Sequence, residues 1–411
     1  MISHPADSRS AGLAVSRIGR PLRVASVIAR LEGGAGLLAL RGAQAMDPAV
    51  FSSTIVTGSG EQLIEAAAAS GLEVLVEPSL RAPIAPHSDL LALRGLETLF
   101  RERGFDVVHT HCAKAGAVGR LAARRAGVPR IVHTFHGFPF HDFQSGPRRQ
   151  AYLLIERRLG RFTDVALCVG AGVAAEAVRR ELIAPERVRT IGVTVDGPAR
   201  AAASRAGRSP QARLRARMAL GLPGDAQVVG AVGRLTYQKA PEDFLAAMAA
   251  LGRPEVIGVW IGGGDLADRV GRRARTMPGT PVVLAGERTD VLEVLPAFDV
   301  FALPSRYEGL PTVIVEAMIC GVPVVATAVN AVSDLVVPGE TGLLVPPQRP
   351  RQLAAAVAYL LDSPDVAARM AATARARLGD RYGDQELRAA LAAAYSPAGQ
   401  AAAGPLVQRR H

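Results

Sequence analysis

Four charged side chains in the second half of this 411-residue chain have types and spacing that could do chemistry: two cations that could share one diphosphate, and two carboxylates, one of them in an apolar run where ribose hydroxyls would suit it. Arg234 and Lys239 lie on one segment, Gly233-Arg234-Leu235-Thr236-Tyr237-Gln238-Lys239, just after the apolar run QVVGAVG. Two cations on one loop can share the charge of one diphosphate. Lysine is a rare choice here, because Lys114 and Lys239 are the only lysines among 48 basic residues. A compact ammonium is a point charge, chemically distinct from a planar guanidinium fork. Glu308 and Glu316 belong to Pro304-Ser305-Arg306-Tyr307-Glu308-Gly309-Leu310-Pro311-Thr312-Val313-Ile314-Val315-Glu316. Proline favours the first helical position, so a helix is expected from Pro311, with Glu308 in the loop before it. Glu316 is the only charged residue between Glu308 and Asp334. An unpaired carboxylate buried there is expensive, and ribose hydroxyls are suitable donors to it. The competing reading is a glutamate that reaches solvent from a surface helix.

The first half offers glycines and histidines. Arg30-Leu31-Glu32-Gly33-Gly34-Ala35-Gly36 follows the run LRVASVIA and precedes a helix expected to start near Leu37. Glycines at a helix N-terminus let backbone N–H groups approach a phosphate. Gly34 to Ala39 fits the dinucleotide pattern G-x-G-x-x-A, but the second strand ends in Gly58-Ser59-Gly60 instead of the acid that would hold a ribose. A nicotinamide oxidoreductase is therefore disfavoured. His109 and His111 flank Thr110 at a strand end and project from one face, while His133, His136 and His141 cluster near the next strand end. No cysteine or carboxylate spacing accompanies them, so no metal site is assigned. No D-x-D occurs, and no divalent clamp is signalled. Arg234 and Lys239 are left to neutralise a leaving group.

The elements that position these residues read as short apolar strands alternating with helices of ten or more residues, the pattern of a parallel sheet covered on both faces. LRVASVIA, STIVT, LEVLV, DVVHT, RIVHTF and DVALCV form one set, and QVVGAVG, VIGVWIG, PVVLAG, DVFALP, VPVVAT and GLLVP a second. The fold expected is α/β with two doubly wound, Rossmann-like domains facing a central cleft. Open sheets of this kind bind ligands beyond the carboxyl ends of their strands. The boundaries expected are a flexible N-terminus (1–20), a first domain (21–196), a linker (197–212), a second domain (213–380), a helix at about 381–396 and a flexible tail (397–411).

Composition narrows the partners. Aromatics are 4%, too few for a single-strand nucleic-acid binder that stacks bases. The net charge is +11, but six arginines and no acid fall within 197–217, a stretch rich in Ala, Gly, Ser and Pro. That is not an ordered basic stripe, and nucleic acid is not expected. The segment RRQAYLLIERRLGR (148–161) is a basic amphipathic helix candidate; a solvated face is the first reading and contact with a membrane surface the second. No apolar signal segment or spanning run is seen. Cys112, Cys168 and Cys320 stand far apart with no C-x-x-C pair, which suits a reducing cytoplasm, at the inner face of the cell membrane if that surface is touched. No feature speaks to oligomeric state.

Glu308 and Glu316 with seven residues between them, the GRLTYQK loop, Gly263 in WIGGGD and the Gly33-Gly34 loop together resemble the retaining glycosyltransferases of family 4, which have the GT-B fold. HTHCAKAGAVGRLAARRAGVPRIVHTFHGFPF is similar to bacterial members that build polysaccharides and related glycoconjugates. The resemblance runs from about residue 22 to 395. It implies a nucleotide-diphosphate sugar, UDP- or GDP-linked, held mainly by the second domain, with the acceptor on the first and no metal or other cofactor. Arg234 and Lys239 would stabilise the diphosphate, and Glu308, Gly309 and the amides of Leu310 and Thr312 would meet sugar and phosphate. Glu316 would take the ribose, Arg288 would approach the base, and Gly33, Gly34 and Gly263 would line the site. His136 matches the cleft histidine that hydrogen-bonds the donor sugar. Transfer would proceed with retention, the departing phosphate oxygen accepting the acceptor's proton, and the last helices would cross back to the first domain.

The acceptor expected first is a lipid-linked saccharide of polysaccharide or cell-envelope synthesis, and second a soluble molecule such as a natural-product intermediate or a low-molecular-weight thiol. Two positions depart from the family pattern: Gly36 stands where an acidic or amide residue is usual, and Val193-Thr194-Val195-Asp196 replaces N-G-V-D. A sugar-nucleotide epimerase of the same fold would need acid/base carboxylates on the first domain, and no obvious pair is present. A non-catalytic binding module is disfavoured because Arg234, Lys239, Glu308 and Glu316 are all retained.

Overall fold

The computed structural model describes residues 20–81, 84–140, 144–195, 197–379 and 381–396. His141 and Asp196, residues 1–19 of the expected N-terminus (1–20) and the expected tail at 397–411 lie outside the described residues. Seven parallel strands form the first sheet: β1 (Leu22–Ile28), β2 (Phe51–Thr57), β3 (Glu73–Val76), β4 (Val107–His111), β5 (Arg130–Phe135), β6 (Val165–Cys168) and β7 (Val188–Thr190), in the order β3-β2-β1-β4-β5-β6-β7. The second sheet has β8 (Gln227–Val232), β9 (Val256–Ile261), β10 (Val282–Leu284), β11 (Val300–Leu303), β12 (Val324–Thr327) and β13 (Leu343–Val345), in the order β10-β9-β8-β11-β12-β13. Both are doubly wound Rossmann-like sheets. Their central strands are apolar almost throughout because helices cover both faces; β11 and β12 are buried at every position.

In each sheet the strand order reverses once, between β1 and β4 and between β8 and β11. A crevice opens at such a point beyond the strand ends. The loops after β1, β4 and β5 meet those after β8 and β11 there, so the segments singled out for chemistry converge without being neighbours in sequence.

The stretch read as a linker is helical. Gly197–Ala206 and Pro210–Ala219 are two helices, the second capped by the Ser209 hydroxyl, which accepts the Ala212 N–H at 3.2 Å. Alanine and arginine are strong helix formers, and they outweigh the proline and glycines that suggested a connector. The cations there are not unopposed, because Arg208, Arg213 and Arg217 converge on Asp299 at 3.0, 2.6 and 3.0 Å. The last helix, Asp384–Tyr395, crosses back to pack on the first domain. Leu391 lies beneath Gly42 of the helix Gly33–Ala45, and the Tyr395 ring meets Phe51 edge-on at 5.8 Å. Among the described residues no helix is long and apolar enough to cross a membrane.

Candidate active site

A cleft of about 2500 Å³ separates the domains. Pockets for a single drug-sized ligand run to roughly 1,000 Å³, so two substrates can be held together here. It is lined by every residue expected at the site: Gly33, Gly34, His136, Arg234, Lys239, Gly263, Arg288, Glu308, Gly309, Leu310, Thr312 and Glu316.

The cation loop follows β8. Gly233 leaves room for the lysine, since a Cβ there would stand 3.2–3.3 Å from the Lys239 stem, and the indole N–H of Trp260 donates to the Gly233 carbonyl at 2.8 Å. Lys239 Nζ donates to Glu308 Oε1 at 2.6 Å, and Gln238 Nε2 reaches the Tyr307 carbonyl at 3.1 Å. Arg306, almost buried, binds the loop from the other side through the Tyr237 carbonyl (2.7 Å) and Asp243 (3.2 Å), with its guanidinium over the Tyr237 ring. Arg234 is exposed to the cleft, and its guanidinium has no hydrogen-bond or ion-pair partner among the described residues. One cation is thus held by a carboxylate and the other is free to meet an anion.

The loop after β11 carries the acids. Glu308 is 5% exposed, and its N–H donates to Asn330 Oδ1 at 3.4 Å. The helix Thr312–Ile319 begins one residue after the proline, which serves as its N-cap. That places the amides of Leu310 and Thr312 at the helix entrance, and neither has an acceptor among the described residues. Glu316 lies one turn further along, partly exposed to the cleft. Burial raises its carboxyl pKa to about 7, and the Arg41 guanidinium opposes that rise. No described residue donates a hydrogen bond to its carboxylate, which lines the cleft.

The first domain closes the other wall. The helix expected to start near Leu37 starts at Gly33, so Gly33 and Gly34 are its first turn and not a loop before it. Residues without a side chain carry little signal of where a helix begins. A Cβ on Gly34 would lie 3.7 Å from Thr312 Oγ1, so two helix N-termini approach each other across the cleft. Gly309 touches the other domain more closely: a Cβ there would stand 1.9 Å from the His136 carbonyl oxygen. His136 is neutral at ordinary pH, burial pushing its pKa down to about 4. The described histidines near these strand ends are each engaged by a hydrogen bond. His111 Nδ1 meets His136 Nε2 at 3.0 Å, and His109 is held by Tyr395 and Thr134. Among the described residues no three His, Cys, Asp or Glu converge to hold an ion.

Arg288 reaches the cleft but is held by Asp290 at 2.6 Å, which raises its pKa, so its fork is engaged. Asn330 and Arg41 also line the cleft, and sequence reasoning missed both. Asn330 sits at φ +44°, a left-handed conformation that asparagine tolerates better than most residues, and an isolated asparagine after a strand is too common to flag. Arg41 lies two helical turns beyond Gly33 and donates to the Thr194 carbonyl at 2.6 Å, bridging helix and domain end.

Comparison with known proteins bears on the family and the fold. Residues 32–196 match the model of Glycosyltransferase Family 4 and residues 226–363 that of Glycosyl transferases group 1. The chain is 31% identical over 274 residues to UDP-Gal:alpha-D-GlcNAc-diphosphoundecaprenol alpha-1,3-galactosyltransferase of Escherichia coli, covering 65% of this chain and 69% of that one. It is 33% identical over 332 residues to D-inositol 3-phosphate glycosyltransferase of Thermobispora bispora, covering 74% and 73%. Among solved structures, Anabaena Alr3699/HepE in complex with UDP and glucose superposes with a TM-score of 0.76 at 22% identity, covering 90% of this chain and 98% of that one. WaaG, a glycosyltransferase of lipopolysaccharide biosynthesis, superposes with a TM-score of 0.69 at 18% identity, covering 90% and 98%. With both domains matched in order and the cleft built where their strand orders reverse, this chain belongs to glycosyltransferase family 4 and has the GT-B fold.

Proposed function

We propose that the protein is a retaining, metal-independent glycosyltransferase that moves a sugar from a UDP-sugar to a lipid-linked saccharide in polysaccharide or cell-envelope synthesis. The observation that carries the donor half is the pairing of an unpartnered Arg234 with a Glu308-held Lys239 in one cleft, beside two helix N-termini. As the bond from the anomeric carbon to the phosphate oxygen breaks, negative charge grows on the diphosphate. Arg234, Lys239 and the amides of Leu310 and Thr312 are fixed where that charge develops. Glu316 accepts hydrogen bonds from the ribose and Arg288 lies toward the base. The departing phosphate oxygen takes the proton of the acceptor hydroxyl as the new bond forms on the same face. No carboxylate nucleophile is invoked, and Lys239 holds one oxygen of Glu308.

UDP is favoured over GDP by the Escherichia coli relative, named for UDP-Gal, and by the Anabaena structure holding UDP. The first of these also favours a lipid-diphosphate acceptor. The helix Gly146–Gly160 suits work at a membrane's inner, cytoplasmic face, with Leu154 and Ile155 exposed among Arg148, Arg157 and Arg158. The inositol phosphate glycosyltransferases among the relatives favour a second reading, a soluble small-molecule acceptor.

The test incubates the protein in EDTA with anomerically 13C-labelled UDP-galactose or UDP-glucose. A polyprenyl-diphosphate GlcNAc is offered in one arm and inositol 3-phosphate in the other. An α-linked lipid product supports the proposal, product only in the second arm selects the soluble acceptor, and a β-linked product overturns retention.

A further inference from the structure

A chain of buried polar groups runs from β1 to the cleft. Ser26 is 4% exposed, and its Oγ lies 3.0 Å from His111 Nε2, its only partner among the described residues. His111 Nδ1 in turn lies 3.0 Å from His136 Nε2. The other ring nitrogen of His136, Nδ1, has no partner among the described residues, and the side chain lines the cleft. Burial keeps both rings neutral, His136 with a pKa of about 4 and His111 well below the usual value, so each carries one ring proton.

The direction of the chain follows from counting donors and acceptors. A buried hydroxyl whose proton finds no acceptor is costly, and among the described residues the sole acceptor within reach of Ser26 is His111 Nε2. With Nε2 accepting, the His111 proton sits on Nδ1 and donates to His136 Nε2. That nitrogen is then bare, and the His136 proton sits on Nδ1. The opposite polarity strands the serine proton. We propose that Ser26 is a positioning residue that acts through His111 to lock His136 as its Nδ1–H tautomer, presenting the cleft with a hydrogen-bond donor and selecting an oxygen lone pair of the donor substrate. The neighbours leave this polarity alone. His109, 4.1 Å from His111 ring to ring, is satisfied by Tyr395 (2.8 Å) and Thr134 (2.7 Å); His133 is held by Thr110 (2.8 Å), and Arg120 by Glu156 (2.7 Å). The tautomer is a property of the free protein, whereas its contact with substrate rests on the function proposed above.

The two are separable in one experiment. The full chain is labelled with 15N-histidine, and long-range 1H–15N correlations are recorded at pH 7.5, with His111→Gln and His136→Gln giving the assignments. The wild type is expected to show Nδ1–H with bare Nε2 for both residues. Ser26→Ala is expected to move His136 toward the other tautomer and to lower kcat/KM about tenfold, the worth of one hydrogen bond. Ser26→Thr, which keeps the hydroxyl, should restore both readouts. An Nε2–H tautomer at His136 in the wild type overturns the proposal, and so does a Ser26→Ala protein with an unchanged His136 spectrum. The wild-type spectrum decides the matter if the alanine variant fails to fold. The expected tautomer in a protein that transfers no sugar would count against the functional reading alone.

Discussion

The Lys239 and Glu308 side chains are 16% and 4% exposed and 2.6 Å apart, so removing either leaves the other as a nearly buried charge without its partner. Breaking such a pair costs about 3–5 kcal/mol. Lys239→Ala should therefore lower the melting temperature as well as activity, and activity loss alone would not reveal chemistry. The double variant Lys239→Met with Glu308→Gln separates the effects: we expect near wild-type melting with kcat/KM down by roughly 10²- to 10³-fold. Recovery of activity with stability would mean that the lysine serves folding only. Glu316 makes the opposite kind of prediction. Its pKa of about 7 in the folded protein exceeds the ordinary 4.5, so its contribution to stability is complete below about 4.5 and is lost as pH rises through about 7. Glu316→Gln should raise the melting temperature of the free protein at pH 8. It should also weaken UDP binding by roughly 10- to 100-fold, as expected when a charged acceptor of ribose hydroxyls is lost, which calorimetry at the same pH reads.

At the scale of elements, the cleft depends on two loops in van der Waals contact, His136-Gly137 after β5 and Glu308-Gly309 after β11. A methyl on Gly309 would overlap the His136 carbonyl oxygen at 1.9 Å, so Gly309→Ala must push the loops apart. Displacements of about 1 Å at reacting groups cost on the order of 10² in rate. We expect that loss in kcat from Gly309→Ala with a far-ultraviolet circular dichroism spectrum like the wild type's; unchanged kcat would show that the loops need not touch. Twelve of the thirteen strands were legible as apolar runs between helical patterns, and so were the cation loop and the acidic motif, because a strand buried on both faces leaves a continuous signal. The missed strand, β7, has three residues at an edge and two of them are exposed, so no apolar run marks it. The helices at 197–219 were hidden because the acid that balances their arginines, Asp299, is about ninety residues away. Ser26 and Asn330 were silent for the same reason, and His111 was singled out without its partners, since their roles exist only once separate strands are brought together.

The whole molecule carries a pH signature of its own. His109, His111, His133 and His136 are kept neutral chiefly by burial, with His109 at about 3 and His136 at about 4 against an ordinary 6.5. Below about 6.5 the unfolded chain binds protons that the folded histidines refuse. Their contribution is complete above that pH and is lost as pH falls toward about 4. The melting temperature should drop steadily between pH 6.5 and 4.5, and His109→Gln should flatten that slope; a flat wild-type profile would show that these side chains are hydrated. On the function proposed above, both sheets, the two facing helix N-termini and the two cations serve one end, a cleft that holds a nucleoside diphosphate by protein charge. Calorimetric titration of the 411-residue chain with UDP in EDTA, beside Arg234→Ala, bears on that most directly. The account predicts one site that saturates without metal and weakens at least tenfold in the variant, the loss expected for a charge-assisted contact. Binding that appears only when a divalent ion is added, or that is indifferent to Arg234, would contradict it.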